Sequence, residues 1–167
     1  MSEPLLIRTS SPEETQALGR LLGENAQPGD VFLLSGPLGA GKTCLTQGIA
    51  WGAGVVEYAR SPTFVIMTRY LGRLTLYHFD LYRINDPLEA WDLGLEEQIF
   101  GDGICVVEWA ERAEEVFPPD CLWIELDYPE DGEGRTLSIT DVPPRYQARL
   151  DPLRAFAKEL GSRSDAC

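Results

Sequence analysis

The apolar residues of this chain recur in two rhythms, and the changes of rhythm divide it into elements. Leu5-Leu6-Ile7 is a short apolar run that predicts an opening strand. Ser11-Pro12-Glu13-Glu14 combines a capping serine, a proline at the first helical position and a glutamate three residues on. Leu18, Leu21 and Leu22 follow at helical spacing, so a helix is predicted that stops near Pro28-Gly29. Val31-Phe32-Leu33-Leu34-Ser35 is continuously apolar after a Pro-Gly-Asp turn and predicts a buried strand. Leu45, Ile49 and Ala50 restore the helical spacing, with Gly52 and Gly54 where that helix ends.

The second half follows the same logic. Ser61-Pro62-Thr63-Phe64 predicts an extended loop entering a strand, because proline pushes the residue before it out of the helical region. Val65 to Tyr70 and Leu74 to Phe79, separated by Leu71-Gly72-Arg73, predict a hairpin. Asp86-Pro87-Leu88-Glu89 repeats the helix-start signal and predicts a helix running towards Phe100. Ile104-Cys105-Val106-Val107 predicts a strand buried on both faces of a parallel sheet. A short helix is expected over Ala110 to Val116, stopped by Pro118-Pro119. Leu122 to Asp127 and Thr136 to Thr140 alternate, which predicts a second antiparallel hairpin at a sheet edge. Leu153, Phe156, Ala157 and Leu160 predict an amphipathic helix closed by Gly161.

Strands alternating with helices predict an α/β fold: a three-layer sandwich with a mostly parallel central sheet, antiparallel hairpins at its edges and helices on both faces. The 167 residues suit one domain, with residues 1–145 as its body, 146–161 as a helix packed on it and 162–167 as a disordered tail. No apolar run approaches membrane-spanning length, and Met1-Ser2-Glu3-Pro4 lacks the basic start of a secretory signal. Cys44, Cys105, Cys121 and Cys167 show no paired C-x-x-C spacing, so neither zinc nor a disulfide framework is expected and a reducing cytoplasm is the predicted setting.

Charge narrows the functions available. The net charge is −13, and residues 86–133 carry 16 acidic side chains against one basic, Arg112. Such a chain does not hold nucleic acid through its own field. The acidic stretch reads either as a solvated face or as a docking surface for a basic partner.

The chemistry concentrates at Gly36-Pro37-Leu38-Gly39-Ala40-Gly41-Lys42-Thr43, which fits the phosphate-loop pattern G-x-x-x-x-G-K-[ST] between a predicted strand and a predicted helix. This makes the fold that of a P-loop NTPase. Glycine lets the backbone curl so that N–H groups converge on an anion at a helix N-terminus. Gly36, Leu38, Gly39, Ala40, Gly41, Lys42, Thr43 and Cys44 are therefore the expected nucleotide-binding residues, with Lys42 reaching the outer phosphates and the Thr43 hydroxyl on Mg²⁺. Cys44 is either a thiol activated at the helix start or, the preferred reading, a small residue packed beside the loop.

A phosphate loop also needs a carboxylate at the tip of a neighbouring buried strand. Glu108 ends the apolar run at Val107 and is the expected second metal ligand; Asp80, which ends another strand, binds metal through water, orients the attacking water, acts as a base or only caps a loop. Ser61 and Thr63 read as a switch segment answering the γ-phosphate, or as the start of a strand. His78, the only histidine, reads first as a packed residue; Trp109 as a stacking or core residue; and Arg83 as a phosphate contact or a partner for the acidic helix.

These residues resemble a known family. The glycine loop, Ser61-Pro62-Thr63, His78-Phe79-Asp80-Leu81-Tyr82-Arg83, Asp86-Pro87 and Val107-Glu108-Trp109 look like the bacterial TsaE (YjeE) family, in order, from about Leu5 to about Val142. The His78–Arg83 and Val107–Trp109 blocks are far more specific than the loop. The resemblance implies an ATPase, slow by itself, that works with the TsaD and TsaB proteins in making threonylcarbamoyladenosine in tRNA. It further implies Thr43 and Glu108 as Mg²⁺ ligands, Lys42 and the loop amides on the phosphates of ATP, and Asp80 as a switch or catalytic residue. Position 37 is proline where members of the family often have aspartate, which removes one N–H early in the loop. An acidic chain reaches tRNA only through its partners, which agrees with an accessory role. A small-molecule kinase on the same loop is the alternative, although the stretch after Asp86 is almost free of the arginines its lid requires; a nucleotide-gated binding module is the other.

Overall fold

The computed structural model describes residues 4–57, 59 and 67–165, with only the backbone of 162–165. Its seven-stranded sheet has the order β1-β7-β6-β2-β5-β4-β3. The strands are β1 (Leu5–Thr9), β2 (Val31–Ser35), β3 (Met67–Tyr70), β4 (Leu76–Asp80), β5 (Ile104–Glu108), β6 (Leu122–Asp127) and β7 (Arg135–Ile139). The central pairings β6–β2, β2–β5 and β5–β4 are parallel, and antiparallel pairings flank them on both sides. The expected α/β sandwich is the observed architecture. Ser61 and Thr63, the expected switch residues, and the first part of the first hairpin lie outside the described residues.

Side-chain parity builds the two halves of the core. Phe32 and Leu34 of β2, Ile104 and Val106 of β5 and Leu76 of β4 face one way, against Leu18, Leu22, Leu45 and Ile49 of the helices α1 (Pro12–Glu24) and α2 (Lys42–Gly52). Val31, Leu33, Cys105, Val107 and Phe79 face the other, against Ala90, Leu95, Ile99 and Val116. Burial on this second side pushes the Cys105 thiol up to about 12. Glu108 is the residue after Val107, so it returns to the α1–α2 side.

α1 and α2 meet at backbone distance. A Cβ at Gly19 would stand 2.3 Å from the Leu45 carbonyl oxygen and one at Gly23 2.1 Å from that of Ile49. In return, a Cβ at Gly48 would stand 2.1 Å from the Gln16 carbonyl oxygen and one at Gly52 2.2 Å from that of Arg20. Two glycine pairs, each spaced by four residues, thus form a seam that holds α1 against the helix that leaves the phosphate loop.

Three features differ from the sequence expectations. The β6–β7 hairpin is not the edge of the sheet, because β1 pairs outside β7, from Leu5 opposite Ile139 to Thr9 opposite Arg135. The helix expected from Asp86 to Phe100 is two short ones, α3 (Leu88–Asp92) and α4 (Leu95–Ile99), parted at Gly94, whose φ is +83°. After the short helix α5 (Pro144–Gln147), α6 (Asp151–Asp165) runs on through Gly161 instead of closing there, since that glycine takes no left-handed turn.

The C-terminal segment is tied to the start of β2. Asp30 is fully buried, accepts from Arg145 at 2.8 Å, is paired by Arg149, and receives the Gln27 N–H at 2.8 Å. The buried Tyr146 hydroxyl accepts the Val31 N–H at 2.9 Å. Tyr146→Phe strands that N–H in the core and is expected to cost about 1–3 kcal/mol in urea unfolding. A loss near zero would show that this hydrogen bond adds nothing to the fold. Among the described residues no helix is long and apolar enough to cross a membrane.

Candidate nucleotide site

The loop between β2 and α2 curls as its glycines require. Gly36 has φ +134°, and a Cβ there would stand 1.9 Å from the Leu126 carbonyl oxygen; Gly41 has φ +105° and caps α2. The amides of Lys42 to Cys44 precede the first bond into the helix, from the Leu45 N–H to the Gly41 carbonyl at 3.0 Å, and have no partner within it. Ala40 is buried, and its N–H donates to the Pro37 carbonyl at 3.2 Å.

Lys42 is 5% exposed and bends back over the loop. Its Nζ donates to the Gly36 carbonyl and, at 2.9 Å, to that of Pro37, and stands 3.9 Å from the centre of the Trp109 ring. Burial lowers its pKa, and the carboxylates of Glu111, Glu108 and Asp80 oppose that shift. Trp109 takes a left-handed backbone (φ +58°) just past β5, and this turns its ring towards Lys42 and onto Tyr82, 4.9 Å away. The Gly36 N–H donates to Glu111 at 2.9 Å.

Glu108 stands beside the loop. Its Oε1 accepts from the Thr43 hydroxyl at 3.0 Å; its Oε2 meets the Thr46 hydroxyl at 3.3 Å and the Nε2 of His78. The chain reaches this arrangement by two periodicities. Thr43 and Thr46 are three apart on one side of α2, and Glu108 ends a strand parallel to and paired with β2. Asp80 lies in register with Glu108 on β4, half-buried, with Oδ1 accepting the Tyr82 N–H at 2.9 Å. Thr43, Glu108, Asp80 and Lys42 thus share one mouth at the C-terminal ends of the parallel strands. His78, read first as a packed residue, reaches into it.

The loop is also held from the β6–β7 side. The Tyr128 hydroxyl donates to the carbonyl of the exposed Leu38 at 2.7 Å, Arg135 Nε donates to that of Gly39 at 2.9 Å, and the guanidinium stacks 4.4 Å from the Tyr128 ring. Beyond them lies a cavity of about 170 Å³ lined by Ser11, Pro12, Gly41, Cys44 and Arg135 among others. The half-buried Cys44 lines this cavity, and burial pushes its thiol pKa up. Thr46, Glu111, Tyr128 and Arg135 were not singled out by sequence. Only Thr46 carried a signal, its spacing of three from Thr43.

The chain is similar to proteins already described. The family model "Threonylcarbamoyl adenosine biosynthesis protein TsaE" matches residues 9–137. The tRNA threonylcarbamoyladenosine biosynthesis protein TsaE of Bacillus subtilis is 46% identical over 147 residues, 87% of this chain and 91% of that protein. Its counterpart from Treponema pallidum is 41% identical over 73% of this chain and 90% of its own. The crystal structure of Bacillus subtilis YdiB superposes with a TM-score of 0.76 at 39% identity, covering 93% of this chain and 97% of that one. With the phosphate loop, the strand-end carboxylate and the His78–Arg83 block inside the matched region, the chain belongs to the TsaE family.

Proposed function

We propose that this chain binds ATP with Mg²⁺, hydrolyses it slowly by itself, and acts on the TsaD–TsaB pair in the formation of threonylcarbamoyladenosine in tRNA, touching tRNA only through them. The observation that carries this reading is the 3.0 Å contact between the hydroxyl just past the loop lysine and the carboxylate at the tip of β5. A hydroxyl and a carboxylate are hard oxygen donors, and few of them suit Mg²⁺, which keeps much of its water. Thr43 and Glu108 would hold the ion, and its charge would offset that of the phosphate oxygens.

The rest follows from the chain's own groups. The amides of Gly39 and of Gly41 to Cys44 bind phosphate oxygens at the N-terminus of α2, while that of Ala40 holds the Pro37 carbonyl, and Lys42 exchanges loop carbonyls for the outer phosphates. Cys44 lies one helical step of about 100° on from Thr43, on the side away from Glu108, so the nucleoside leaves the loop towards the cavity by Arg135. There the guanidinium offers a flat cation to a base. Asp80 accepts a hydrogen from the attacking water and turns it towards the terminal phosphate.

ATP turnover by the purified protein, alone and with TsaD and TsaB, tests the reading. Turnover that rises only with both partners is expected; phosphoryl transfer to a metabolite, or no nucleotide binding, would overturn it. Asp80→Asn is expected to lower turnover by about 100-fold or more while ATP affinity by calorimetry stays within about 3-fold. Equal loss of both would make Asp80 a binding residue.

A further inference from the structure

His78 sits in the wrong company for a residue that only packs. It is 0% exposed on the apolar side of β4, two residues on from Leu76 and opposite Val106. Its Nδ1 meets no hydrogen-bonding group among the described residues. A leucine or phenylalanine would fill the same space without stranding a nitrogen. What the imidazole gains is at its other end, where Nε2 meets Glu108 Oε2. A carboxylate can only accept, so Nε2 carries the hydrogen, and this is the tautomer that leaves a bare lone pair on the unpartnered Nδ1.

The other contacts of Glu108 show why this bond matters. The Thr46 hydroxyl has one hydrogen and two acceptors within reach, the Lys42 carbonyl at 2.9 Å and Glu108 Oε2 at 3.3 Å. The nearer carbonyl takes it. Among the described residues His78 is therefore the one dedicated donor on Oε2, and with Oε2 pinned, the carboxylate plane turns Oε1 towards Thr43.

We propose that His78 is a positioning residue: it fixes the Glu108 carboxylate so that one oxygen is presented to the cation beside Thr43. Such outer-shell donors set the orientation of a ligand and through it the affinity for metal. The proposal rests on the reading of Glu108 as a Mg²⁺ ligand.

The test titrates Mg²⁺ and Mn²⁺ into the full-length protein saturated with ADP, and separately measures ADP affinity in EDTA. His78→Leu keeps the bulk and removes the donor; His78→Gln keeps an N–H that reaches the place of Nε2. The leucine variant is expected to weaken metal affinity by about 10- to 100-fold with metal-free ADP affinity unchanged, and the glutamine variant to recover most of the loss. A folded leucine variant that binds metal like the parent overturns the proposal alone, as does equal loss with and without metal. A parent whose ADP affinity ignores metal overturns the reading of Glu108 and takes this one with it. Because His78 is the only histidine, nitrogen-15 spectra of the parent give a readout that needs no variant. A hydrogen on Nε2, with ring resonances that move when Mg²⁺ joins the ADP complex, is expected. A hydrogen on Nδ1, or resonances blind to the ion, would overturn the assignment.

Discussion

Lys42→Ala is expected to lower ATP affinity by about 100-fold or more. A charge-assisted hydrogen bond accounts for about 1.5–3 kcal/mol, and each 1.4 kcal/mol is tenfold in affinity. The surroundings add to that. Glu111, Glu108 and Asp80 all act on the Lys42 ammonium, so among the described residues the mouth holds three carboxylates against one buried cation. Without the lysine, a polyphosphate would meet those carboxylates with only the metal ion to offset them. The bonds that Nζ makes to the Gly36 and Pro37 carbonyls belong to the free loop and are given up when the phosphates bind, so they do not add to this loss. Calorimetry with ATP at fixed Mg²⁺ checks the expectation, and unchanged affinity contradicts it. Lys42→Arg separates the two contributions, because it keeps the charge and changes the reach.

The second large effect belongs to Glu108→Ala, and its signature is a change of dependence. Mg²⁺ should no longer tighten nucleotide binding, a loss at or above the upper end of the ~10–100-fold range seen when mere outer-shell partners of a metal are removed. Affinity in EDTA should hold or improve, since one of the three carboxylates around the Lys42 ammonium, which would repel a phosphate there, is gone. Parallel titrations of ATP with Mg²⁺ and with EDTA distinguish this from general damage, which would weaken both.

The parts of this site legible in the sequence are those set by local pattern. The glycine loop announces its own backbone, and the apolar run Ile104 to Val107 says where a buried strand ends and therefore where Glu108 stands. Asp80 was found in the same way, from the end of a strand-like run. What stayed hidden depends on which element neighbours which. His78 gains its meaning only once β4 is known to lie parallel to β5, with Asp80 level with Glu108. Tyr128 and Arg135 reach the loop because β6 pairs with β2, and nothing near them in the sequence says so. The covering of β7 by β1 and the break at Gly94 were missed for related reasons: one is a long-range pairing, the other a single left-handed residue inside a run with good helical spacing. The glycine seam does have a local trace, small residues spaced by four at 19 and 23 and at 48 and 52, but a glycine near a helix end, as Gly52 is, equally signals a stop.

That seam has a mechanical consequence. With no side chains between their backbones, α1 and α2 are packed so closely that they are expected to move as one lever. The phosphate grip is at the start of one arm, and Ser11 and Pro12, at the start of the other, line the cavity proposed for the nucleoside. A shift that closed the loop on a phosphate would therefore also reset the wall proposed to face the base, and a single rigid piece would sense the two ends of the nucleotide.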